Sequence, residues 1–115
     1  MAKDIYKGDN ATHKFQLKVN NENYDLTSVK EITFYVKSFR NNTKTILITK
    51  TMTDSGIVRQ SPYTDGKLYV YMIPEDTEEI SIIYTNTNLW FSIQIIDADD
   101  NRKTFGRGEY TINEV

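Results

Sequence analysis

The sequence predicts an all-β domain, a sandwich or small barrel, and three observations predict it. The first is composition: eight Tyr and five Phe, with many Ile, Val and Thr, stand against only three Ala and five Leu. Such side chains pack well on a pleated surface, whereas long helices draw on Ala, Leu, Glu and Lys. The second is a period-two alternation of apolar and polar residues in four separate runs. The third is the recurrence of Asn, Asp and Gly clusters between those runs, at the roughly 8–12-residue spacing of sandwiches and barrels.

Taken in order, a short strand is expected at Ile5–Lys7. "HKFQLKV" then sets Phe15, Leu17 and Val19 against Lys14, Gln16 and Lys18. The turn "NNEN" at Asn20–Asn23 follows, and "EITFYVKSF" places Ile32, Phe34 and Val36 on one face. After "RNNTK" come shorter strands at Ile46–Met52 and Ile57–Arg59. "TDG" at Thr64–Gly66 leads into "KLYVYMI", with Leu68, Val70 and Met72 inward and Tyr69, Tyr71 and Ile73 opposite. "PEDTEEI", Pro74–Ile80, is the one helical signal: a Pro start and first-turn acids suit a helix N-terminus, for one or two turns. "LWFSIQII" sets Leu89, Phe91, Ile93 and Ile95 inward and Trp90 outward, and Arg102–Ile112 closes the chain. No linker or repeat divides residues 1–115, which read as a single domain.

The 115 residues carry no cysteine, which excludes disulfides and thiolate chemistry. Neither a signal-type apolar segment nor a bilayer-length apolar run is present, so no membrane association is expected. A net charge of −2 argues against nucleic acid as the main partner. The charge is uneven: residues 1–60 hold ten Lys/Arg and six Asp/Glu, +4, whereas residues 61–115 hold four and ten, −6. Solvated strand faces account for such a split, and so do complementary docking patches.

Few residues suggest chemistry. Asp97, Asp99 and Asn101 match the first positions of an EF-hand loop, but Arg102 and Gly108 stand where Gly and the bidentate Glu are required. A hairpin turn is the better reading, and no metal site or cofactor is expected. His13, the single histidine, begins an alternating strand with no nucleophile context around it, and Glu75, Asp76, Glu78 and Glu79 read as a solvated acidic face. Gly106 and Gly108 fit a bulge or bend rather than a phosphate loop. No catalytic residue is therefore assigned, and no enzyme is expected. Tyr69, Tyr71 and Trp90 admit three readings: interface anchors, two-sided core, or a platform for sugars or bases.

The order "IYKGDNATHKFQLKV", "NYDLTSVKEITFYVK", "GKLYVYMIPEDTEEI" and "LWFSIQIIDADDNRKTFGRGEYTINEV" resembles immunoglobulin-like β-sandwich modules of tailed bacteriophages. The N-terminal domain of baseplate upper proteins is one such module, with related modules in tail, fibre and head-decorating proteins. The matching pieces are Gly8-Asp9, Asp25-Leu26-Thr27, Pro74-Glu75-Asp76-Thr77 and a last hairpin with Gly108; the family often has Asp-Gly where Asp100-Asn101 stands here. Baseplate upper proteins continue into a fibre region, whereas this chain stops at Val115. The resemblance therefore implies an antiparallel immunoglobulin-like sandwich of seven or eight strands. It further implies a virion component that binds other virion proteins as a capsid auxiliary, head-fibre attachment or tail or baseplate adaptor, in multiple copies or as a homo-oligomer. The alternative is a carbohydrate-binding module recognising host glycans. The expected interface residues are Tyr69, Tyr71, Trp90, Asn41, Asn42, Tyr63 and Tyr84, with the Ala2–Asp9 arm and the Arg40–Lys44, Ser61–Gly66 and Ile83–Asn88 segments as further contact candidates.

Overall fold

Alternating apolar residues give each sheet one face that must be hidden from water, and two such faces close on each other. A computed structural model describes residues 2–39 and 43–115. Its strands are β1 (Ala2–Tyr6), β2 (Ala11–Gln16), β3 (Lys18–Val19), β4 (Glu22–Asn23), β5 (Glu31–Ser38), β6 (Thr45–Thr51), β7 (Ile57–Arg59), β8 (Lys67–Met72), β9 (Leu89–Ile96) and β10 (Arg102–Asn113). A single helical turn, α1 (Pro74–Thr77), and a 3-10 turn, Ile82–Tyr84, lie between β8 and β9; another 3-10 turn, Tyr63–Asp65, precedes β8.

One sheet runs β1-β10-β9-β5-β6, and the other β2-β8-β7. In immunoglobulin-domain letters these are A-G-F-C-C′ and B-E-D, so the sandwich is immunoglobulin-like as expected. Eight strands make the two sheets, and the remaining pair, β3 and β4, is a small hairpin closed by Asn20 and Asn21 at φ 52° and 65°. Positive φ at both turn residues matches the twist of the flanking strands. The sandwich is not wholly antiparallel: β1 runs parallel to β10, from Ala2 opposite Glu109 to Tyr6 opposite Asn113. The chain changes sheets between β1 and β2, which leaves β1 beside the last strand and pointing the same way.

The core is one cluster in which Leu26, Ile32, Phe34, Val36, Leu68, Val70, Ile93, Ile95, Tyr110 and Ile112 have almost no exposed surface. The ring of Phe34 stacks on Phe91 at 5.8 Å and meets Phe15 at 5.9 Å, fastening the two sheets together. At one end of this cluster His13 Nε2 lies 2.8 Å from the Tyr110 hydroxyl. Burial lowers the His13 pKa, with the Lys3 charge adding to the effect, and burial, with the charges of Asp76 and Asp4, raises that of the Tyr110 phenol. Both groups are thereby held neutral in the core.

Two local devices set the ends of the sandwich. In α1, the Asp76 carboxylate accepts from the Ile73 amide at 2.8 Å and pairs with Lys50 at 2.9 Å, while buried Thr77 accepts from the Gly8 amide at 2.8 Å. At the other end, the Asp97 carboxylate accepts from the amides of Asp99 and Asn101, both at 2.9 Å, which closes the β9–β10 hairpin. Asp100 there pairs with Lys30 at 2.7 Å. The acidic run is therefore turn chemistry, in keeping with its departure from the EF-hand spacing.

Candidate functional site

The outer face of the five-stranded sheet gathers the most distinctive surface. Strand register places Ile46, Lys37, Trp90 and Glu109 in one row across β6, β5, β9 and β10. The next row is Thr49, Tyr35, Ser92 and Arg107, and the one after is Thr51, Thr33, Gln94 and Thr104. Glu109 is the single carboxylate on these three rows.

A bulge makes this composition. The pairing of β10 with β9 shifts between Phe105 and Arg107, and Gly106, at φ 53°, is the inserted residue. Strict alternation from buried Phe105 would turn Arg107 inward. The extra residue resets the phase, so Arg107 joins the outer face opposite Ser92 while Tyr110 stays in the core.

Trp90 is 42% exposed and Phe39 49% exposed, so these rings stand between water and the sheet. Beside them runs a groove of about 240 Å³ lined by Ser38, Phe39, Ile83, Tyr84, Thr87, Asn88 and Trp90. A second, of about 490 Å³, lies between Phe39, Trp90 and Arg107. A third, of about 590 Å³, is polar: Lys37, Ser92, Gln94, Thr104, Gly106 and Arg107 line it. Aromatic anchors beside hydrogen-bonding side chains and an arginine are the composition of protein-binding hot spots.

Across these three rows the charges are unbalanced, with Lys37 and Arg107 against Glu109 alone. Partial burial lowers the pKa of Lys37, and the charges of Lys44 and Arg107 lower it further. The Lys37 ammonium rests 5.2 Å over the Tyr35 ring. Among the described residues the ion pairs are Lys7–Glu114, Lys30–Asp100 and Lys50–Asp76, so Lys37, Lys44 and Arg107 have no carboxylate partner there.

The expected interface residues separate in space. Trp90 and Tyr84 share the groove on the five-stranded sheet. Tyr69 and Tyr71 lie on the outer face of the other sheet, alternating with buried Leu68, Val70 and Met72; their rings meet edge to face at 6.2 Å, and Lys14 covers Tyr69 at 5.7 Å. Tyr69 is half-buried and Tyr71 exposed, so neither is part of a two-sided core. No single platform therefore holds Tyr69, Tyr71 and Trp90, because β8 and β9 belong to different sheets. Tyr63 sits in the 3-10 turn with the Arg59 guanidinium 4.1 Å above its ring. Asn41 and Asn42, and with them most of the Arg40–Lys44 segment, lie outside the described residues. Sequence reasoning missed Lys37, Phe39 and Arg107, whereas Ile83 opens the expected Ile83–Asn88 contact segment. Phe39 was readable, since it falls out of phase with Ile32, Phe34 and Val36.

No protein-family model matches the chain, and no curated protein matches it. Among the described residues no helix is long and apolar enough to cross a membrane.

Proposed function

We propose that this chain is a non-enzymatic structural module of a tailed-phage particle, docking on a neighbouring virion subunit through the outer face of its five-stranded sheet. The observation that carries the docking face is the exposure of Trp90 and Phe39 side by side, flanked by Ile83 and by Lys37 and Arg107 without carboxylate partners among the described residues. Roughly 100 Å² of each ring remains to be buried, on usual aromatic areas, which at ~25 cal/mol/Å² stabilises a complex by about 2–3 kcal/mol per ring. The particle context rests on the resemblance of the chain's ordered segments to phage sandwich modules.

The test is mass spectrometry of purified particles from the phage encoding this chain, combined with surface labelling of Trp90. The protein is expected in the particle, with Trp90 protected from label there relative to the dilute, monomeric protein. Absence from intact particles would refute the virion role. Full labelling of Trp90 in the particle would refute the docking face. If glycan arrays instead gave hits that Trp90→Ala abolished, the carbohydrate-binding alternative would replace it.

A further inference from the structure

The docking face reports what its occupant must carry. Lys44 and Arg107 each repel Lys37, and the three outer rows supply only Glu109 in return. Two copies meeting with these rows directly opposed would set like charges together at close range, which costs association. The occupant must therefore bring carboxylates together with an apolar group for the space beside Trp90 and Phe39.

The chain itself offers such a segment. Between β8 and β9, Glu75, Glu78 and Glu79 are exposed and have no ion-pair partner among the described residues, whereas Asp76 is already engaged with Lys50. A few residues on, Ile82 is 71% exposed, the most exposed of the Ile, Phe and Trp side chains among the described residues. Ile83 is committed in part to its own chain's groove, so Ile82 is the apolar group on offer. The chain thus carries both a cationic aromatic face and, between β8 and β9, an acidic connection that ends in an exposed isoleucine.

Resting on the docking face proposed above, we infer that its occupant is a second copy of this chain, contributing its Glu75–Ile82 connection to Lys37, Arg107 and Trp90. Charge pairing sets encounter and register, and burial of Ile82 against the two aromatic rings slows dissociation.

Sedimentation velocity over a concentration series tests this, first on the unaltered protein at low and at high salt. Self-association that rises with concentration and weakens with salt is expected, because exposed charge pairs are screened within roughly 10 Å at 0.1 M salt. Lys37→Glu/Arg107→Glu and Glu75→Lys/Glu78→Lys/Glu79→Lys are then measured separately and as an equimolar mixture. All five side chains lie outside the core, and circular dichroism verifies the fold of each variant. Each variant alone should weaken self-association by about tenfold or more. The mixture should restore a one-to-one complex, since each variant keeps the half the other has lost. A strictly monomeric wild type, a salt-insensitive dimer that both variants retain, or a mixture that stays monomeric would overturn the inference. A monomeric protein whose Trp90 is nonetheless protected in particles would overturn only the self-pairing and leave the docking face standing.

Discussion

Replacing Gly66 by Ala probes the fold at a tight backbone crossing. Gly66 has φ 71°, and a Cβ built there would lie 2.6 Å from the Leu17 carbonyl oxygen and 2.8 Å from that of Tyr24. Both are backbone atoms that no rotamer change can move aside. They are also fastened in place: the Leu17 amide donates to the Gly66 carbonyl at 2.8 Å, and the Tyr24 amide donates to the Leu17 carbonyl at 2.9 Å. The left-handed conformation costs a residue with a Cβ roughly 1–2 kcal/mol, and overpacking adds roughly 1–3 kcal/mol. The expected loss for Gly66→Ala is the sum, roughly 2–5 kcal/mol. At about 4 °C per kcal/mol for a domain of this size, the Tm falls by roughly 8–20 °C. Gly106→Ala is the control, because Gly106 has φ 53° but nothing within 4 Å of its would-be Cβ. It should lose only the conformational part, roughly 1–2 kcal/mol. Thermal unfolding followed by circular dichroism measures both. Equal destabilisation by the two substitutions would refute the steric reasoning.

Stability should also depend on pH through His13. Its folded pKa is lowered from 6.5 by burial and then by Lys3, so near and below 6.5 the unfolded chain binds a proton that the folded chain refuses. The His13 contribution is therefore complete above the unfolded pKa and declines as pH falls toward the folded one. Urea midpoints at about pH 7.5 and about pH 5.5 should show the lower value at the acid pH, and a higher one there would contradict the burial argument. Glu31 governs a lower range. Burial raises its pKa, but the Thr53 hydroxyl and the amides of Ile32, Thr53 and Met52 outweigh that and leave it lowered. Its contribution is present above the unfolded pKa and lost as pH falls through the folded one. Glu31→Ala removes the carboxylate that accepts from the Thr53 amide at 3.1 Å and shares the Met52 amide with the Ile32 carbonyl, beside the β6 end. A loss of about 1–2 kcal/mol in urea unfolding is expected, and an unchanged midpoint would show that the clamp contributes nothing.

Strands whose two faces differ sharply are legible in the amino-acid pattern alone. Ile32, Phe34 and Val36 in β5, Leu68, Val70 and Met72 in β8, and Leu89, Phe91, Ile93 and Ile95 in β9 are all buried, as alternation requires. The alternation through Phe15, Leu17 and Val19 outruns its strand: β2 ends at Gln16, because the Leu17 amide and carbonyl turn to Gly66 and Tyr24, and Val19 is only half-buried in the small hairpin. His13 lies in phase with Phe15, yet its partner Tyr110 is 97 residues away and no local pattern names it. The docking face is less legible for the same reason. Arg107 lies far along the chain from Lys37 and Lys44, and it faces outward only because of the bulge at Gly106. Grouping Tyr69, Tyr71 and Trp90 fails because period two tells which way a side chain points but not which sheet its strand joins.

Trp90 is the sole tryptophan of the chain, so its fluorescence reports on the proposed docking face alone. The most direct measurement is quenching of that emission by iodide and by caesium, in the free protein and in the assembled particle freed of other proteins' signal by selective labelling of this chain. The cationic surroundings of Trp90 predict that iodide quenches the free protein more strongly than caesium. Docking predicts that both effects largely disappear on assembly. Emission quenched equally before and after assembly would contradict the assignment of this face.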